Sequence, residues 1–178
     1  MLVLLTGLPG SGKSHLARAL ASALHADVLD RDAVRDAIFP ARDLDYSAEQ
    51  NELASQVTYQ VAEYILRRDP VRTLILDGRP FSKRIQVEKV VRLAERVEHR
   101  LCVIHCWAPD PVVYRRLEKD MRHTGNVAAG RNMEKYLRIK ESFEPLAIEH
   151  LSVNTDQPTE EIVHTVIAYL DRCQKGSR

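Results

Sequence analysis

The chain is poor in cysteine. Its three cysteines, Cys102, Cys106 and Cys173, are an odd number without a pairing framework, which excludes a disulfide scaffold and suits a reducing compartment. Net charge is almost absent, at +1, so no overall field draws the chain to nucleic acid or an anionic membrane, and a polynucleotide partner would need a local basic patch. Long apolar runs are also missing. Residues 2–5 and their neighbours fall far short of the roughly 20 residues needed to cross a bilayer, so no membrane partner is expected. That apolar start has no basic leader and no small-residue cleavage site, so it does not read as a signal peptide, and a cytoplasmic location is expected. No repeat or low-complexity linker interrupts the chain. Its 178 residues, 44% of them hydrophobic, suffice for one sizeable core and one domain over residues 1–178.

What is present is an alternation of two patterns. Apolar runs of strand length occur at residues 2–6, 27–29, 71–76, 101–106 and 151–153. Continuous apolar runs suit strands covered on both faces of a parallel sheet. Between them the period is helical. Residues 13–24 carry Leu16, Ala19, Leu20 and Ala23, and residues 47–68 carry a stripe of Leu53, Val57, Val61, Tyr64 and Ile65. Residues 82–97 follow the third strand. Asp110-Pro111 opens another helix, and Pro158 with Glu160 and Glu161 opens the last, which runs to about Cys173. This order predicts βαβ units, hence an α/β fold: a doubly wound, five-stranded parallel sheet with helices on both faces. The small residues 125–130 read as a mobile loop. Cys102, His105 and Cys106 resemble metal ligands only on paper, because alternation along a strand puts His105 on the face opposite the two cysteines.

The most specific signal is Gly7-Leu8-Pro9-Gly10-Ser11-Gly12-Lys13-Ser14, which satisfies the G-x-x-x-x-G-K-[ST] pattern at every required position. Glycines let successive N–H groups turn inward around a phosphate, and the helix that begins at Lys13 adds its positive N-terminal end. Lys13 is placed for the β- and γ-phosphates, and the Ser14 hydroxyl for Mg²⁺. His15, next in the helix, is counted in the same nucleotide-binding set. A strand before the motif and a helix after it complete the context of a P-loop NTPase.

A bound triphosphate leaves the reaction open. No Asn-Lys-x-Asp motif reads a guanine base, and no Asp-x-x-Gly follows a strand, as a switch GTPase requires. The third strand ends Leu76-Asp77-Gly78-Arg79, without the Asp-Glu pair of a mechanical ATPase. A kinase needs an acid at the acceptor hydroxyl and cations around the transferred group. Asp30-Arg31-Asp32-Ala33-Val34-Arg35 supplies an acid at the carboxyl end of the second strand, where ligands sit in a doubly wound sheet. Asp32 and Arg35 share a face of the helix that follows.

These residues resemble the small P-loop kinases, which group polynucleotide 5′-hydroxyl kinases, adenylylsulfate kinase, gluconate kinase and chloramphenicol-type phosphotransferases. Arg31-Asp32-x-x-Arg35 is most similar to the polynucleotide kinase pattern. The resemblance implies Asp32 as general base and Arg35 as acceptor ligand, with Asp77 near metal and acceptor. It implies a helical lid at about residues 111–142, whose arginines neutralise the phosphoryl in flight: Arg116 first, then Arg122 and Arg131. Where the family often repeats arginine four residues on, this chain has Asp120. Residues 155–158, with Asp156 and Pro158, resemble the loop packed on the nucleotide base. ATP and Mg²⁺ are the implied cofactors.

By the switch-point rule, residues 38–50 and 77–84 flank the acceptor. Tyr46 and Phe81 are candidates to hold a ring, and Arg79 and Arg84 to hold an anion. The expected activity is transfer of the ATP γ-phosphoryl to a hydroxyl of a small-molecule acceptor. A nucleic-acid 5′ end is the second choice and a regulatory ATPase without an acceptor the third.

Overall fold

The computed structural model describes residues 1–124 and 133–175. β1 (Leu2–Thr6) is buried over its whole length. It pairs in parallel with β3 (Leu74–Asp77) on one side and β4 (Leu101–Trp107) on the other, with Leu2 in register with both Leu74 and Leu101. β2 (Asp27–Asp30) adds outside β3 and β5 (Leu151–Asn154) outside β4. The five parallel strands therefore run β2-β3-β1-β4-β5, and the order reverses direction at β1. That reversal opens a crevice at the carboxyl ends of the strands.

The helices are α1 (Lys13–Leu24), α2 (Arg31–Ile38), α3 (Ala48–Arg68), α4 (Arg84–Arg96), α5 (Asp110–Thr124), α6 (Met133–Glu141) and α7 (Thr159–Lys175). Alternation along β1 splits the core in two. Val3 and Leu5 pack with Leu16 and Leu20 of α1 and Val166 of α7. Leu2 and Leu4 pack with Ala62 and Leu66 of α3 and with Val90 and Leu93 of α4. The sheet is thus covered on both faces, as the apolar runs require. Cys102 and Cys106 belong to the first core, where burial pushes the Cys106 thiol up to about 12. His105 faces the other way, against the rings of Phe143 and His150. No metal-holding group of His, Cys, Asp and Glu occurs among the described residues. No helix among them is long and apolar enough to cross a membrane.

Two local expectations are corrected. The third strand starts at Leu74 rather than at residue 71, and Val71 is 90% exposed. Residues 69–72 form a turn, closed by Arg72 N–H donating to Asp69 O at 3.1 Å, and the turn takes these residues out of the ladder. α3 also buries a different face from the apolar stripe. Leu53, Val61 and Tyr64 are exposed, while Ala54, Ser55, Thr58, Ala62 and Leu66 point inward. Small side chains let α3 lie close to α2 and the sheet. The hydroxyls of Ser55 and Thr58 donate to Asn51 O at 2.8 Å and Ala54 O at 2.7 Å, which makes them tolerable inside.

α5 and α6 are joined by a clasp and a small core of their own. The Tyr136 hydroxyl donates to Asp110 Oδ1 at 2.8 Å and the Lys140 ammonium to Asp110 Oδ2 at 2.5 Å. Tyr136 is buried with Val113 and Leu117, and Leu8 packs against the same cluster. Residues 125–130, expected as a loop, and Arg131 lie outside the described residues, as does the side chain of Arg122.

The packing of α3 is testable by thermal unfolding. Leu53→Lys and Tyr64→Lys are expected to change stability by less than about 0.5 kcal/mol, as exposed substitutions do. Ala62→Leu is expected to cost about 1–3 kcal/mol by overpacking. The opposite ranking would mean that the apolar stripe is the buried face.

Candidate functional site

The loop between β1 and α1 is shaped by its glycines. Gly12 caps α1 at φ 82°, where any side chain costs about 1–2 kcal/mol. A Cβ there would also stand 2.9 Å from Thr155 Oγ1. The first N–H groups of α1 lack intrahelical partners and the helix dipole adds positive charge at the same place, a combination that suits a phosphate. Lys13 is 9% exposed. Its ammonium donates to Gly7 O at 2.9 Å and Leu8 O at 2.8 Å, so it is held inside the curve of its own loop. The loop is tied to its neighbours by Gly7 N–H and the Thr6 hydroxyl, which donate to Pro80 O at 3.0 and 2.9 Å. The Thr155 hydroxyl donates to Ser11 O at 2.9 Å.

On the β2–β3 side, α2 starts almost in contact with the end of β3. Asp30 caps α2 by accepting from Asp32 N–H at 2.8 Å. Gly78, at φ 84°, leaves no room for a side chain: a Cβ would lie 2.3 Å from Asp30 Oδ1 and 2.7 Å from Arg31 N. Arg31 locks this junction, its Nε and Nη2 donating to Gly78 O at 3.1 and 2.6 Å and its Nη1 to Asn51 Oδ1. Arg35 Nη1 donates at 2.9 Å to the same Asn51 Oδ1 and to Asp32 Oδ1. The remaining guanidinium edge of Arg35 is held by Asp36, and its face lies 4.5 Å from the Tyr46 ring centroid. Asn51 Nδ2 in turn donates to Tyr46 O at 2.9 Å. Tyr46 is held in left-handed backbone at φ 57°, strain of the kind that collects at functional sites. Arg31 Nη2 also stands 3.3 Å from Asp32 Oδ1. Both arginines thus address one oxygen of Asp32, and the second oxygen lies outside these two contacts.

Arg79 donates to Ser55 Oγ at 2.7 Å and to Glu52 Oε2 at 3.3 Å. Burial works against the charge of Glu52, but Lys89 and Arg79 together hold its carboxyl below the usual range. Asp77 is 2% exposed, and its Oδ1 has no hydrogen-bond partner among the described residues.

On the β4–β5 side, Arg116 of α5 donates to Thr155 Oγ1 at 2.9 Å, to Thr155 O at 2.7 Å and to Gly10 O at 3.3 Å. It bridges the phosphate loop and the turn after β5. Asp156 and Pro158 are exposed in that turn, and Asp156 N–H donates to Asn154 Oδ1 at 3.1 Å. Thr155 is the residue of the segment that reaches the loop. His15 pairs with Thr159 Oγ1 at 2.9 Å.

These groups surround one cleft of about 720 Å³. Pro9, Gly10, Gly12, Lys13, Ser14, His15, Asp32, Arg35, Asp77, Arg79 and Arg116 all line it. Gly7, Leu8 and Ser11 shape the loop from beneath. Phe81 is 2% exposed and belongs to the core rather than to the cleft, and Arg84 lies with it along a separate small pocket. Asn51 and Lys135, which also line the cleft, belong to no motif. Asn51 shares the polar inner face of α3 with Ser55 and Thr58, a pattern that marks a helix facing something other than a dry core. Lys135 comes from α6, far along the chain.

The donor set fits a hydrated magnesium ion. The Ser14 hydroxyl and the Asp77 carboxylate are hard oxygen ligands in the cleft, and the unpartnered buried Oδ1 of Asp77 is an acceptor that a metal-bound water would satisfy.

Compared with known proteins, residues 2–146 match the family described as AAA domain. No curated protein matches the chain in sequence. Among solved structures it is similar to a candidate kinase from Chloroflexus aurantiacus, 23% identical, covering 94% of this chain and 96% of that one with a TM-score of 0.76. It is also similar to the APS kinase of Mycobacterium tuberculosis solved with AMPPNP and APS, 22% identical, covering 96% of each chain at TM-score 0.72. A gluconokinase from Sinorhizobium meliloti is 19% identical, covering 98% of this chain and 93% of that one at TM-score 0.67. These likenesses establish the fold: the five-stranded parallel sheet with flanking helices is that of the P-loop kinases.

The junction at Gly78 is expected to be intolerant. Gly78→Ala should cost more than about 2 kcal/mol from backbone strain and the collision with α2. Asn51→Ala, which removes an acceptor shared by two guanidiniums, should cost about 1–3 kcal/mol. Asn51→Asp, which keeps an acceptor, should lose less. Thermal melts of the three variants check this ordering, and an unchanged midpoint for Gly78→Ala would refute it.

Proposed function

Because the chain belongs to the AAA domain family and folds as the P-loop kinases do, we propose that it is an ATP-dependent kinase that transfers the γ-phosphoryl group to a hydroxyl of a small-molecule acceptor. The observation that carries this reading is the oriented carboxylate of Asp32, held by Arg35 at 2.9 Å in the cleft it shares with the phosphate loop. A nucleotide switch or a regulatory ATPase has no use for an oriented acid at that turn.

Lys13 and the N-terminus of α1 bind the β- and γ-phosphates and balance their charge. Arg116, fixed between Gly10 and Thr155, adds positive charge from the nucleotide side. Ser14 and Asp77 would hold Mg²⁺, which would supply neutralising charge to the phosphate oxygens. Asp32 accepts the proton of the acceptor hydroxyl as the new oxygen–phosphorus bond forms, and the bond from the γ-phosphorus to the bridging oxygen breaks with ADP as the leaving group. The loose transition state asks little of a base, so orientation of the hydroxyl is a large part of what Asp32 contributes. Arg35 holds Asp32 in place and faces the acceptor. α5 and α6, clasped through Asp110, serve as the lid.

An ATP-consumption screen across hydroxyl metabolites, with 5′-hydroxyl oligonucleotides as a separate arm, tests the reading. With the acceptor found, Asp32→Asn is expected to keep ATP affinity within a few-fold while transfer falls on the order of 10²-fold or more. Lys13→Ala should lose nucleotide binding and turnover together. Near wild-type transfer by Asp32→Asn would reduce Asp32 to a structural ion-pair partner. Preference for the oligonucleotide would move the acceptor to a nucleic-acid 5′ end.

A further inference from the structure

α3 carries an apolar face that its own fold does not use. Leu53 and Tyr64 are 45% and 59% exposed, Val61 is exposed with them, and Val57 is half-buried between. At the helical period these four side chains fall on one side of α3, within an arc of about 80°. The opposite side is filled by Ala54, Thr58, Ala62 and Leu66, and the hydrophobic cores include none of the four outer residues. The other exposed large apolar side chains among the described residues come one to an element or turn, which is ordinary for a surface. The stripe on α3 is not.

The same side of the helix is charged at its two ends, with opposite sign. Glu49, one turn before Leu53, is exposed. Arg68, one turn after Tyr64, is exposed with its guanidinium 4.7 Å from the Tyr64 ring centroid. Neither makes an ion pair among the described residues, whereas Glu52 is taken by Arg79 and Lys89, and Arg67 by Glu63. Along about 28 Å of helix the order is therefore acid, apolar stripe, base. Turned end for end, that order complements itself. With a two-fold axis at the height of residues 58 and 59, Leu53 stands opposite Tyr64 of the second copy, Val57 beside Val61, and Glu49 opposite Arg68. A parallel arrangement sets Glu49 against Glu49 and Arg68 against Arg68, which repel. Gln56 and Gln60 border the stripe and are exposed, a polar rim that suits a protein contact better than immersion in lipid.

We propose that the outer face of α3 is a homodimer surface, pairing in antiparallel with α3 of a second copy of this chain. The contact is isologous: each copy offers the same patch, and the pairing closes on itself. It stands apart from the kinase reading. One helix pair lies at the low end of specific interfaces, below about 1,200 Å² in total, so the dimer is weak, with a Kd on the order of 10–100 µM. The apolar stripe supplies the association, and the exposed Glu49–Arg68 pairs set its direction. The second copy then braces α3 on the side opposite Asn51 and Ser55, which hold Arg35 and Arg79 of the cleft.

Sedimentation of the full chain, from about 2 to about 500 µM, spans the range in which an interface of this size assembles. A reversible monomer–dimer equilibrium is expected. Leu53→Lys and Tyr64→Lys should each weaken it about tenfold or more, because each places a charge in the apolar centre of the contact. At low-micromolar concentration, where the chain is monomeric, both variants should melt with the wild type, so that a lost dimer is not a lost fold. The charged ends supply the second arm. Glu49→Arg and Arg68→Glu alone should each weaken the dimer about threefold or more, and the double variant, which exchanges the two signs, should return to within about threefold of the wild type. A monomer over the whole range overturns the proposal and leaves the stripe to some other partner. A dimer indifferent to Leu53→Lys and Tyr64→Lys overturns it as well. A double variant no tighter than the single ones rejects the antiparallel pairing, and assemblies that keep growing beyond the dimer reject the closed contact.

Discussion

β1 is hydrogen-bonded on both sides, to β3 and to β4, and every one of its residues is buried. The phosphate loop therefore leaves the sheet from a point that cannot shift without breaking two ladders and both halves of the core. What stands around the cleft is located relative to that point. Ties from Thr6 and Gly7 to Pro80 O bring the end of β3, with Asp77 and Gly78, alongside the loop. Thr155 brings the end of β5 to its other flank.

From this anchor the two flanks diverge in chemistry. Toward β4 and β5 the cleft is bounded by Arg116, fastened to Gly10 and Thr155. Toward β2 and β3 it is bounded by a polar network in which Asn51 Oδ1 and Asp32 Oδ1 each take both guanidiniums and Gly78 O accepts two bonds from Arg31. Removing one member of such a network leaves a charged donor short of an acceptor, with the others still in place around it. A network this interdependent holds a carboxylate in one orientation, at the expense of tolerance to substitution. The strained backbone at Tyr46 (φ 57°) and the glycine requirement at Gly78 (φ 84°) border the same network. Here positioning Asp32 takes precedence over local backbone comfort.

α6 shows how a peripheral element becomes part of the site. Its Tyr136 and Lys140 fasten to Asp110 at the start of α5, and the cluster they cover packs on Leu8 of the phosphate loop. Lys135, one residue before Tyr136, is thereby delivered to the lining of the cleft. The clasp and the site are two faces of one short helix.

The strand–loop–helix core was legible in the residue order because its determinants are local. An apolar run between turn signals makes a strand, glycines at fixed offsets make the phosphate cradle, and Asp30, Asp32 and Arg35 follow from capping and an i,i+3 spacing. The parallel sheet with helices on both faces follows from the alternation of those runs. Three features were decided only by tertiary structure. α3 turned its small and polar face inward, because the space beside α2 and the sheet admits Ala54, Ser55 and Ala62 but not Leu53 or Tyr64. Phe81 went to the core and Arg84 to a separate pocket, because the chain enters α4 through left-handed backbone at Phe81 (φ 51°). Asn51 and Lys135 joined Asp32 from elements that periodicity can identify but cannot orient. Periodicity along one element specifies which residues share a face. Which face meets which neighbour depends on the volumes and charges of residues distant in the chain, and those meet only when the fold closes.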